Sequence, residues 1–169
     1  MAMNNWFVCK IKYAKEDEYG RLKNVNEPYL VDAMSFTEAE ARMYEELGTL
    51  IRGEMQVSSM SKANISEVFR YEDSDTWFKC KITYVITDGD SAMEKKVTNY
   101  FLVSAHDVKQ AYERIYESLN NMLVSFEVPD VVKSPIVEVF EFIGSDEREA
   151  AVPKGFTPLS ELQEKEIEE

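Results

Sequence analysis

Histidine occurs once, cysteine twice, proline five times and glycine six times in 169 residues, and each scarcity closes off some chemistry. The one histidine, His106, stands just before a helix-capping Asp107 and reads as a surface residue. No Cys or His pair has the spacing of metal ligands, and the serines have no companion base for a nucleophilic triad. No glycine-rich loop leads into a helix, as a phosphate-cradling loop must. The two cysteines, Cys9 and Cys80, lie far apart, which fits a reducing compartment better than a disulfide scaffold. No apolar run approaches the ~18 residues of a membrane span, and the start MAMNNWFVCK has no apolar stretch behind a basic segment. The expectation is a cytoplasmic protein with no membrane partner, no metal, no cofactor and no catalytic residues: a binding protein rather than an enzyme.

What is plentiful is apolar side chain and negative charge. Hydrophobic residues make up 44% and aromatics 12%, enough for a folded core, and the net charge is −13. Residues 144–169 hold eight acidic and three basic side chains, leaving 24 acidic against 16 basic in the first 143. So acidic a body repels a polyanion, and non-specific duplex DNA binding through phosphate neutralisation is excluded unless a local basic patch supplies it.

The sequence also repeats itself. Trp6-Phe7-Val8-Cys9-Lys10-Ile11-Lys12-Tyr13 aligns with Trp77-Phe78-Lys79-Cys80-Lys81-Ile82-Thr83-Tyr84 at an offset of 71, with six of eight pairs identical. Tyr29-Leu30-Val31 matches Phe101-Leu102-Val103 at an offset of 72, and so do Ala39, Arg42, Tyr44 and Leu47 with Ala111, Arg114, Tyr116 and Leu119. The offset returns to 71 where Lys62, Ile65, Glu67, Val68 and Phe69 match Lys133, Ile136, Glu138, Val139 and Phe140.

Each copy reads as strand, strand, helix and one or two further strands. The first block alternates, with Phe7, Cys9, Ile11 and Tyr13 on an apolar face and Trp6, Val8, Lys10 and Lys12 on the other. A polar turn at Gly20, or Asp88-Gly89, leads to the second strand. Ser35 with Glu38, and Asp107 with Gln110, form capping boxes that start the helices. The apolar stripes are Ala39, Met43, Leu47 and Leu50, and Ala111, Ile115, Leu119 and Met122. Extended segments follow at about 55–70 and 126–143, each kinked near Lys62 or Pro135.

The fold class expected is therefore α+β: a tandem duplication of a β-β-α-β(β) unit about a pseudo-twofold, its antiparallel sheets covered on one side by two helices. The first repeat spans 1–74 and the second 75–143, sharing one body; residues 144–169 read as a flexible acidic tail with a short helix at 159–168. Across the repeat boundary four consecutive strands precede a helix. That order resembles the Whirly and PUR-type single-strand nucleic-acid-binding modules. The blocks WFVCKIKY, EPYLVDAMSFTEAEAR and ISEVF resemble an uncharacterised family, domain of unknown function 4494, from Bacteroidota and their phages, over about residues 5–143. This second resemblance implies a fold and a setting, but no activity and no site residues.

One constellation suggests a ligand. Trp6, Lys10 and Lys12, with Trp77, Lys79 and Lys81, would place an aromatic ring beside ammonium groups twice over, for bases to stack on and phosphates to meet. The competing reading makes each Trp the cover of a core edge or of the seam between repeats. Cys9 and Cys80 read as packing residues. Glu67 and Glu138, equivalent in Ile-x-Glu-Val-Phe, read as a structural salt bridge or, less simply, a shared acid/base pair. The leading function is single-stranded DNA or RNA binding in phage or mobile-element DNA metabolism. The alternative is an interaction or inhibitor module whose acidic surface or tail docks on a basic protein.

Overall fold

Alternation, capping and turn chemistry produce the expected elements in a computed structural model that describes residues 5–90 and 92–141. They are β1 (Asn5–Glu16), β2 (Leu22–Ala33), α1 (Phe36–Leu47), β3 (Met55–Ala63) and β4 (Glu67–Phe69), then β5 (Trp77–Thr87), β6 (Glu94–Ser104), α2 (Val108–Ser118), β7 (Phe126–Lys133) and β8 (Val139–Phe140). The β1–β2 hairpin turns at Gly20, whose φ of 77° is the left-handed conformation that glycine adopts without strain. Ser35 Oγ accepts from the Glu38 N–H at 3.1 Å, and Asp107 Oδ1 from the Gln110 N–H at 2.7 Å. The Glu38 and Gln110 side chains reach back to the N–H groups of Met34 and His106, closing both capping boxes.

Strand order is β3-β1-β2-β8 in one sheet and β4-β6-β5-β7 in the other. The halves match in register: Phe7 faces Val31 as Phe78 faces Val103, and Ile11 faces Glu27 as Ile82 faces Asn99. They match in irregularity too, since β3 bulges at Ser58 against Lys10/Ile11 and β7 shifts register beside Pro129 against Lys81/Thr83. Both bulges lie on outermost strands, where a bulge or a proline discourages pairing with another chain.

The last strand of each repeat leaves its own sheet. β4 runs parallel to β6, and β8 parallel to β2, so each half completes the other's sheet. The antiparallel sheets expected thus each gain one parallel edge strand, and the four consecutive strands β3 to β6 are divided between two sheets. The division between residues 74 and 75 falls in the connection from β4 to β5, past a strand already committed to the other half. Helices do not share one side: α1 packs on β1, β2 and β3, and α2 on β5, β6 and β7.

Three cores result. Phe7, Cys9, Ile11, Tyr29 and Val31 meet Ala39, Met43 and Leu47 of α1. Phe78, Cys80, Ile82, Phe101 and Val103 meet Ala111, Ile115 and Leu119 of α2. A third, at the seam, joins Trp6, Leu30, Trp77, Leu102 and Val139. Leu50, expected on the α1 stripe, lies past the end of the helix and is 71% exposed. Met122 packs against the second core, partly buried.

Buried helix arginines tie down the exchanged segments. Arg42 donates to the carbonyls of Asp32 and of Glu141, just after β8. Arg114 donates to the Ser104 carbonyl at 2.9 Å and to Asp73, just after β4, at 2.6 Å. Cys9 and Cys80 are free, buried in separate cores, and burial pushes their thiols up to about 11 and about 12, so they stay protonated packing groups. The proposed tail and its helix at 159–168 lie outside the described residues.

Candidate ligand groove at the seam

Alternation placed Trp6, Lys10 and Lys12 on one face of β1, and Trp77, Lys79 and Lys81 on one face of β5, and the structure keeps those faces. It does not leave the rings open. Trp6 is 5% exposed and Trp77 1%, because the beginnings of β1 and β5 press against the opposite half. The expected exposed stacking rings are therefore corrected to seam residues. Two large rings at the seam bury more apolar surface than a smaller pair would. Arg70 completes the seam: its guanidinium lies 5.1 Å from the centre of the Trp77 ring, and it donates to Glu138 at 3.0 Å and to the Val139 carbonyl. Glu138 is thus the carboxylate of a salt bridge, while Glu67 stands exposed.

Further along the same strands the lysines stand outside the seam core. Lys10, Lys12 and Lys79 are exposed and Lys81 is half-buried. Lys10 lies beside Pro28 and Lys12 beside Asn26 on β2; Lys79 lies beside Leu102 and Lys81 beside Tyr100 on β6. Residues directly opposite in an antiparallel pair share a face, so Asp130 on β7 offsets part of the charge of Lys81. The Lys79 ammonium rests 4.7 Å from the centre of the Tyr100 ring.

Where the faces diverge, a groove of about 580 Å³ opens along the seam. Its floor is Val8, Leu30, Ile65, Leu102 and Ile136, and Lys10, Lys62 and Lys79 line it from three strands or strand ends; none of the residues lining it is acidic. Lys10 and Lys79, expected on exposed polar strand faces, line it; Lys12 and Lys81 lie beyond it, and the two tryptophans belong to the seam core beside it. Lys62, Asn64, Pro135 and the two isoleucines were not foreseen as site residues. Their signal was present, since Ile65 and Ile136 belong to a repeated block, but nothing in the sequence states that equivalent positions meet.

Elsewhere the polar groups look occupied with structure. Tyr13 and Tyr29 donate to Glu27 Oε2 at 2.7 and 3.1 Å, and Lys15 pairs with its other oxygen at 3.3 Å. Burial pushes Glu27 upward, but the two phenols and the Lys15 charge outweigh it and hold the carboxyl below its usual range. Burial, with the Glu27 hydrogen bond and charge adding to it, raises Tyr13 to about 12. His106 is a surface residue, 3.6 Å from Asp73, whose carboxyl is lowered chiefly by the Arg114 hydrogen bond. Among the described residues no group of three His, Cys, Asp or Glu is placed to hold a metal ion, and no described helix is long and apolar enough to cross a membrane.

Residues 5–142 match the model of a family described as "Domain of unknown function (DUF4494)". No curated protein and no solved structure matches the chain with significance.

Proposed function

The chain belongs to the DUF4494 family, and we propose that it is a non-enzymatic binding protein whose ligand is single-stranded nucleic acid, held along the lysine-bearing faces that flank the seam. One observation carries this reading: in a chain of net charge −13, the seam groove is lined by three lysines and no acidic residue. Such a strip creates the local positive potential that an otherwise acidic surface withholds. Lys10, Lys12, Lys79 and Lys81 supply the phosphate contacts, and the buried Trp6 and Trp77 support the strip instead of stacking on bases. The setting proposed is phage or mobile-element DNA metabolism, which goes with the family resemblance, in the cytoplasm that two unpaired cysteines fit.

Fluorescence anisotropy with a labelled single-stranded oligonucleotide tests the reading at several salt concentrations. Each of Lys10→Ala, Lys12→Ala and Lys79→Ala is expected to weaken binding and to flatten the salt slope by about one unit. Deleting residues 150–169, with their excess of acidic side chains, is expected to tighten binding by removing a competing polyanion. No binding at micromolar protein and low salt, even by the truncated chain, would sink the proposal.

A second reading, docking on a basic partner protein, draws on a different surface. On α2 the exposed Tyr112 and Tyr116 alternate with Glu113 and Glu117, an aromatic ridge between carboxylates. Co-purification of a basic protein that is lost on Tyr112→Ala with Tyr116→Ala would favour it.

A further inference from the structure

We infer that the seam groove takes one unpaired base of a bound strand, and that this is what makes the protein prefer single-stranded to duplex nucleic acid. The inference rests on the nucleic-acid reading above and concerns the groove itself, where that reading needs only the lysines. A purely electrostatic grip does not distinguish strands with paired bases from strands without them. The groove can. Its volume of about 580 Å³ falls within the range of sites that enclose a small molecule. Five aliphatic side chains form its floor, a surface for the flat apolar face of a base, and lysines stand beside it where the flanking phosphates would lie.

The occupant's chemistry follows from what the groove offers and withholds. Of its polar side chains, Asn26 already accepts from Ser58 at 2.8 Å and Ser134 accepts from the Ile136 N–H at 3.2 Å. The aliphatic floor carries the contact with the base, so recognition rests on burial and is tolerant of sequence. A paired base has both faces stacked and cannot enter without leaving its helix. The floor takes Leu30 with Leu102 and Ile65 with Ile136, equivalent positions of the two halves, so both halves build one groove. Its charge breaks that symmetry, because Val8 of the first repeat stands where the second has Lys79. A strand therefore meets two lysines of the first half, Lys10 and Lys62, on one side and Lys79 on the other, which gives it a preferred direction.

Two measurements on the full chain test this. The wild-type protein is titrated with a labelled oligothymidylate, an abasic phosphodiester strand of equal length, and the duplex. Losing the bases is expected to weaken binding about fivefold, as burying roughly 40 Å² of a base's apolar face at about 25 cal/mol per Å² implies, with the salt slope unchanged. Equal affinity for the base-bearing and abasic strands overturns the inference and leaves the electrostatic reading standing; binding of none of the three overturns both. Asn64→Trp then places a ring at the groove mouth, from an exposed position and without a change of charge. It is expected to bring the oligothymidylate down to the abasic affinity, while a wild-type level of discrimination in this variant overturns the groove as the place where the base sits.

Discussion

In the first half of the molecule two phenols, Tyr13 and Tyr29, converge on the carboxylate of Glu27, with Lys15 beside it. In the second half the same positions hold Tyr84, Phe101, Asn99 and Ile86, and one contact survives, from Asn99 Nδ2 to the Tyr84 hydroxyl at 3.2 Å. The backbone register around the two is the same. One copy holds a charge by surrounding it with donors; the other has replaced charge, one phenol and the ammonium by an amide and apolar groups. Away from the seam the repeats have been free to diverge this far. At the seam Trp6 and Trp77, Leu30 and Leu102, and Ile65 and Ile136 are identical, while Val8 stands where the second half has Lys79.

Trp77→Ala should produce the largest effect that sharpens this contrast. Truncating a fully buried ring is expected to cost about 3–5 kcal/mol in chemical denaturation. A loss below about 1 kcal/mol, with binding impaired instead, would restore the ring to the surface. Ile11→Ala and Ile82→Ala come next, at about 2–5 kcal/mol each, since both side chains are completely buried on the helix-facing side of their sheets. Costs that differ widely would mean that the two cores are not energetically equivalent.

Tyr29→Phe makes the first half resemble the second at one atom. It removes a hydrogen bond to a charged group and is expected to cost about 1.5 kcal/mol near neutral pH. The same knot predicts a pH dependence. Glu27 is lowered in the folded state, so its contribution is fully present above its unfolded value of about 4.3 and is lost as pH falls through the folded one. Denaturation midpoints followed from pH 6 into acid should therefore fall less steeply for Glu27→Gln than for the wild type, and identical profiles would show that the carboxylate is not held as described. The smallest difference is at the caps. Ser35→Ala and Asp107→Ala should each cost about 1 kcal/mol in thermal or chemical denaturation, as both side chains accept one otherwise unpaired helix N–H.

Much of the architecture was legible because it is local. A period of two in WFVCKIKY states which side chains share a face, and Ser35 with Glu38 states where a helix starts. The repeated blocks were legible as well, by plain comparison of one half with the other. The candidate site was legible only in part. Lys10 and Lys79 line the groove as the polar face suggested, whereas Trp6 and Trp77, on that same face, are buried.

The sequence by itself determined the strand faces, the helix starts, the two matched halves and the scarcity of groups for catalysis. Only the tertiary structure decided that β4 and β8 change places between sheets, that the tryptophans close the seam, and that Lys10, Lys62 and Lys79 surround one groove. The physical reason is that alternation encodes which residues lie together on a strand but not what will cover them. A face can be polar along half its length and buried along the rest, and which part is buried depends on how the second copy of the repeat docks against the first.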